Sequence, residues 1–222
     1  MKTKTYYKLL NPDGTPRNGG NGTYSLPDGR KAGAWMPKIE NISLCASGYH
    51  VVEFAHLLDW RGLLLCVAET RGEQITDSSK TVAQEIRLLR VVKNWNEKNL
   101  RLFAADCAER VLPIFEKKRP GDERPRLAIQ AARAFAHGKI SAQAMLDARY
   151  AADAAADAAA DAAYAAYAAA DAAAYAAADA AADAAADAAA DAAADAADAR
   201  QKECAWQLER LKYYLKIKED QL

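Results

Sequence analysis

The chain has 222 residues, 51% of them hydrophobic and 27% charged, and its 30 basic residues are balanced by 30 acidic ones. That length suits one or two domains. No apolar run reaches the ~18 residues of a membrane-spanning helix, which argues against a membrane role, and the opening MKTKTYYKLL lacks the apolar core of a secretory signal. Four widely spaced cysteines, Cys45, Cys66, Cys107 and Cys204, form neither a CxxC pair nor a Cys/His zinc spacing. They point to a reduced, cytoplasmic chain with buried thiols and no metal site.

In chain order, residues 3–10 read as a strand, and Asn11-Pro12-Asp13-Gly14 as a turn in which Pro fixes φ and Gly supplies a positive one. A glycine-rich loop follows, Arg17-Asn18-Gly19-Gly20-Asn21-Gly22, then a short strand at 23–26 and a second turn at Pro27-Asp28-Gly29. Three turns in the first 35 residues favour short strands over helices. Strand pieces flank Gly48, residues 53–60 suggest a short helix, and 63–69 form a strongly apolar strand that continues to Gly72. Alternation of Val82, Gln84, Ile86 and Leu88 predicts a strand over 80–92. Residues 1–95 are therefore expected to be a small, mostly β module with one short helix.

From residue 96 the period changes. Asn96 or Asn99 can cap a helix whose apolar face is Leu100, Phe103, Ala104, Cys107 and Val111, with Pro113 ending or kinking it. Asp122 can cap the next helix, Pro125 sits in its first turn and Gly138 ends it. Ser141 then caps an alanine-rich element. Residues 150–199 are nearly pure Ala and Asp, carry a charge of −10, and contain no Lys or Arg; residues 1–149 carry +8. Ala is the best helix former, and one helix over 141–217 would be about 110 Å long, so a fold-back into packed helices is at least as plausible. Each four-residue repeat turns the Asp by roughly 40°, so Asp179, Asp183, Asp187, Asp191 and Asp195 wind about 160° around the axis rather than forming a fixed stripe. Those carboxylates read as a solvated face attracted to the basic module. Their ~6 Å recurrence along a helix also approaches the spacing of nucleic-acid phosphates. The tract ends in an amphipathic segment with Trp206, Leu208, Leu211 and Leu215. The fold class is thus α+β: the β module of 1–95, then a helical domain over 96–222 with long Ala/Asp-rich helices at 141–217, whose Ala faces would also let copies associate.

Trp95-Asn96-Glu97, the run Arg101-Leu102-Phe103-Ala104-Ala105-Asp106-Cys107-Ala108-Glu109-Arg110-Val111-Leu112-Pro113, and Arg124 to Arg133 resemble an uncharacterised phage and bacterial family labelled "putative immunity protein". Asn18-Gly19-Gly20, Cys45 to His50 and Trp60 resemble the phage-associated domain of unknown function that precedes the helical part. The resemblance implies a cytoplasmic, non-enzymatic phage or mobile-element protein. It would counter host defence by binding a defence protein or by sequestering a nucleotide signal, without a cofactor or catalytic residue. The N-terminal module is also similar to ADP-ribosyltransferases in element order, which would place Gly19, Gly20, Tyr49 and His50 at a nucleotide and Glu85 at the carboxylate position. Asn18 stands where that family has His, which sets catalysis on NAD apart as the alternative and leaves a binding site at Asn18, Gly19, Gly20, Tyr49, His50 and Glu85. A structural scaffold or a nucleic-acid mimic is the remaining alternative.

Overall fold

The structure is a computed structural model and describes residues 4–17, 19–60, 62–152, 154 and 182–217. The chain divides into two compact units, Met1–Asn99 with Arg210–Leu222, and Leu100–Glu209. The arrangement is α+β, an antiparallel sheet followed by helices.

Four strands build the first unit: β1 (Tyr6–Leu10), β2 (Tyr49–Val51), β3 (Leu64–Thr76) and β4 (Thr81–Val91), in the order β1-β3-β4-β2 and all antiparallel. β3 and β4 form a hairpin. Its turn is held by the Asp77 carboxylate, which accepts the amides of Ser79 (2.7 Å) and Lys80 (2.8 Å). Those hydrogen bonds hold the Asp77 carboxyl below its usual range. Strand alternation places Tyr6, Leu10, Tyr49, Val51, Cys66, Ala68, Ile86 and Leu88 in one buried cluster, closed by Tyr24. Tyr7, Leu65 and Val67 alternate with them and are buried too, as is Val82 on β4. The short helix of 53–60 is a 3-10 helix, Phe54–Asp59, whose Phe54 ring meets Tyr7 edge-on at 6.1 Å. Burial on both faces is why the run at 63–69 reads as continuously apolar.

Residues 23–26 do not form a strand. The Tyr24 amide goes to the Gly14 carbonyl (3.0 Å), and its ring packs edge-on against Tyr49 at 6.0 Å. The hydrogen-bonding edge of β4 beyond β2 is taken instead by residues 33–39, with Gly33, Met36 and Ile39 donating to Leu88, Ile86 and Gln84. The thiols are only partly as expected. Cys66 is buried, Cys107 is intermediate, and Cys45 and Cys204 are exposed.

In the second unit, α1 (Glu97–Lys118) packs on α2 (Arg124–Ala136) around Ala105, Leu112, Ile129 and Ala132. Asn96 caps α1 through the Asn99 amide (3.0 Å). Pro113 does not end α1. Ion pairs from α1 to α2 lie on both sides of it, Glu109 to Arg133 (2.6 Å) and Glu116 to Arg126, and hold the helix through the lost hydrogen bond. Buried Asp106 is neutralised by Arg133 at 2.7 Å. Gly138 follows α2 at φ +68°, and the Ser141 hydroxyl accepts the Ala144 amide to start α3, helical over 142–152. The last helix, α4 (Ala182–Leu215), carries Asp183, Asp187, Asp191 and Asp195 on its backbone; Asp179 and Tyr164, Tyr167 and Tyr175 lie outside the described residues. Arg110 ties α1 to α4 within this unit, with Glu203 at 2.7 Å and the Trp206 ring at 4.5 Å.

The end of α4 belongs to the first unit. Leu211, Leu215 and Ile217 are buried, and the Asn99 and Asn94 side chains donate to the carbonyls of Tyr214 (3.4 Å) and Leu215 (3.1 Å). These bonds satisfy terminal carbonyls that a helix leaves open. Leu211→Ala should therefore destabilise the first unit by about 2–5 kcal/mol. Hydrogen exchange of the β3 and β4 amides checks this: faster exchange is expected, despite more than a hundred intervening residues.

Candidate functional site: a cationic cavity at the β1–β2 seam

The outer strands of the sheet meet. Tyr7 and Val52 exchange backbone hydrogen bonds of 2.8 and 3.0 Å, so β1 and β2 touch although neither is the other's ladder partner. Beside that bridge lies a cavity of about 530 Å³, within the ~300–1,000 Å³ usual for small-molecule sites. Its walls come from β1, the glycine-rich loop, Tyr24, residues 45–52, Trp60 and Lys80.

Lys8 follows from the strand period. It shares its face with Tyr6 and Leu10, so its stem runs into the core side of the sheet. Its ammonium donates to the His50 carbonyl at 2.7 Å and lies 5.2 Å from the centre of the Tyr24 ring. Burial pushes its pKa down to about 8, and no neighbouring carboxylate offsets that cost. The His50 ring accepts the Cys45 amide at Nε2 (2.9 Å), which assigns its proton to Nδ1. Burial, then the charges of Lys8 and Lys80, lower the His50 pKa and keep it neutral. Lys80 is held protonated first by hydrogen bonding with the Cys45 thiol group, and Asp77 stands 3.7 Å away. Cys45 itself has φ +65° in the tight turn bridging Ser43 and Ser47. Gly48 ends that turn at φ +108°; a Cβ there would stand 2.5 Å from Val82 Cγ2, so the loop can approach β4 only without a side chain.

Gly19, Gly20, Tyr49 and His50 all line the cavity, brought together from two distant stretches. Asn18 lies outside the described residues. Glu85 is not among the lining residues. Arg71 clamps it with two hydrogen bonds, 2.9 and 2.6 Å, and holds its carboxyl below the usual range, while Trp35 stacks on Arg71 and Arg87 at 4.1 and 4.8 Å. Tyr49 contributes its ring, since its hydroxyl is bonded to the Pro37 carbonyl at 2.7 Å. Three lining cations, Lys8, Arg17 and Lys80, were not singled out from sequence. The signal for Lys8 was available: one lysine inside TYYKLL, at the position where alternation demands a core residue. No Asp or Glu is among the lining residues, and no metal-ligating cluster occurs among the described residues. Among the described residues the lining holds cations and no carboxylate that could stabilise a developing positive charge.

The fold and site define a two-unit α+β chain with a ligand-sized cavity in its sheet unit and a helical unit built from α1 to α4. The family model for the Imm-5 like putative immunity protein matches residues 90–214, more than half of the chain, and the chain belongs to that family. No curated protein and no solved structure matches it. None of the helices described is long and apolar enough to cross a membrane.

Lys8 should titrate near pH 8 in the folded chain, against about 10.5 when unfolded. Below pH 8 the buried ammonium carries its full penalty. Between pH 8 and 10.5 only the unfolded chain stays protonated, so stability should rise with pH across that window. Urea unfolding at several pH values checks this, and Lys8→Met should remove the rise.

Proposed function

We propose that this immunity-family protein is a phage or mobile-element product that counters a host defence by binding, sequestering a nucleotide signal in the cavity of its sheet unit. The cavity itself carries the proposal: Gly19, Gly20, Tyr49 and His50 converge on it, cations and aromatic rings line it, and the carboxylate of Glu85 is committed elsewhere. A transferase acting on NAD would need a carboxylate facing the ribose to stabilise the oxocarbenium-like centre. Here the nearest expected candidate is bound to Arg71, so holding a ligand is the chemistry the lining residues support. The helical unit, which carries the family match, is the natural contact for a protein partner; Asp183, Asp187, Asp191 and Asp195 would give that contact an acidic character.

Sequestration and destruction leave different traces. In cells running a nucleotide-signalled defence, expression of the protein should lower the free signal, while denaturing extraction recovers the full pool chemically intact. Loss of the signal from the denatured extract would show turnover and overturn the proposal, as would an unchanged free pool. Glu85→Ala should leave sequestration unaltered.

A further inference from the structure

Lys8, Arg17 and Lys80 converge on one cavity from three separate stretches of chain, β1, the glycine-rich loop and the β3–β4 turn. Drawing an ammonium partly out of water with no carboxylate beside it is costly, and Lys8 has the His50 carbonyl and the Tyr24 ring as its partners. Three further observations point to what belongs beside it. No Asp or Glu is among the described lining residues. The Trp60 indole, also a lining residue, has a buried Nε1–H with no acceptor among the described residues. The amides of Gly19, Gly20, Asn21 and Gly22 donate to no backbone carbonyl among the described residues. Three cations and an orphan indole donor thus share one cavity, with no Asp or Glu among the described lining residues.

We propose that the cavity holds a phosphate site, in which Lys8 takes a phosphate of a nucleotide-type ligand and Arg17 and Lys80 neutralise its remaining charge. The proposal rests on the sequestering function above, and gives the ligand an orientation: phosphate toward Lys8, Arg17 and Lys80. Lysine serves as a point charge for phosphate, and charge-assisted bonds from buried donors are the strong ones. Lys8 is a binding residue here, held in place by the His50 carbonyl.

Isothermal titration with ADP, inorganic pyrophosphate and adenosine tests this on the full chain. ADP and pyrophosphate should bind and compete with each other, and adenosine should bind at least tenfold more weakly than ADP. Lys8→Met should weaken ADP at least tenfold without lowering the melting temperature. Arg17 is exposed, so Arg17→Ala should fold normally and weaken ADP severalfold, as should Lys80→Ala; these two variants serve if Lys8→Met does not fold. Adenosine binding as tightly as ADP would overturn the phosphate assignment while leaving sequestration intact. Conversion of ADP during the titration would overturn sequestration and leave the phosphate assignment standing. Binding of none of the three, or Arg17→Ala and Lys80→Ala without effect, would overturn the assignment.

Discussion

Two hydrogen bonds between Tyr7 and Val52 close the sheet unit. The ladder runs β1-β3-β4-β2, which on a flat sheet would leave its outer strands three spacings apart. Register shifts at Val67/Ala68 and Arg71/Gln74 are the places where β3 bends, and bulges of this kind increase local twist. Once the edges meet, β1 and β2 each keep a short length of backbone beyond the bridge. The cavity lies beside the bridge, and Lys8, next to Tyr7, and His50, two residues before Val52, both line it. The site is therefore a by-product of closure, and its lining could not be assembled from any one segment.

Electrostatics then separates this unit into two regions that do different things. On the exposed face, cations are matched: Arg71 with Glu85, Arg87 with Glu69, with Trp35 stacked against both guanidinium groups. Such exposed pairs contribute little to stability, but they hold Glu85 where it is. Around the cavity Lys8, Arg17 and Lys80 are among the lining residues, Lys80 has Asp77 at 3.7 Å, and no acid is among the described lining residues. The helical unit repeats the matched pattern, with Arg133 neutralising Asp106 and Glu109 and Arg126 facing Glu116. The Lys8 ammonium, bonded to the His50 carbonyl with no carboxylate partner, stands apart from that background.

Much of the fold was legible. Period-2 alternation marks β4, and the caps Asn96 and Ser141 act where the chain pattern places them. Residues 23–26 were misleading because a short β-like tetrapeptide is locally the same whether it joins a ladder or lies across one; only the contact of Tyr24 with Gly14 and Tyr49 decides. Of the two readings of Pro113, an end to α1 is excluded: the helix runs from Glu97 to Lys118, and Glu109 and Glu116 pair with α2 on either side of it. Of the site, the glycine loop and Tyr49-His50 were readable as turn and edge elements. Glu85 was chosen for its order in the chain, and order says nothing about which side of a strand reaches a cavity. Lys8 was hidden by its solubility: a lysine is ordinarily assigned to solvent, and its burial emerges only when β1 is paired on one side and bridged on the other.

The central claim is that the cationic cavity holds a phosphate-bearing small molecule and leaves it unchanged. Native mass spectrometry of the full-length protein purified from host cells tests this most directly. A retained mass that fragments to release phosphate, and that is lost from the Lys8→Met chain, is the predicted result. A bare chain from cells in which the defence is active, or a retained molecule without phosphate, would contradict it.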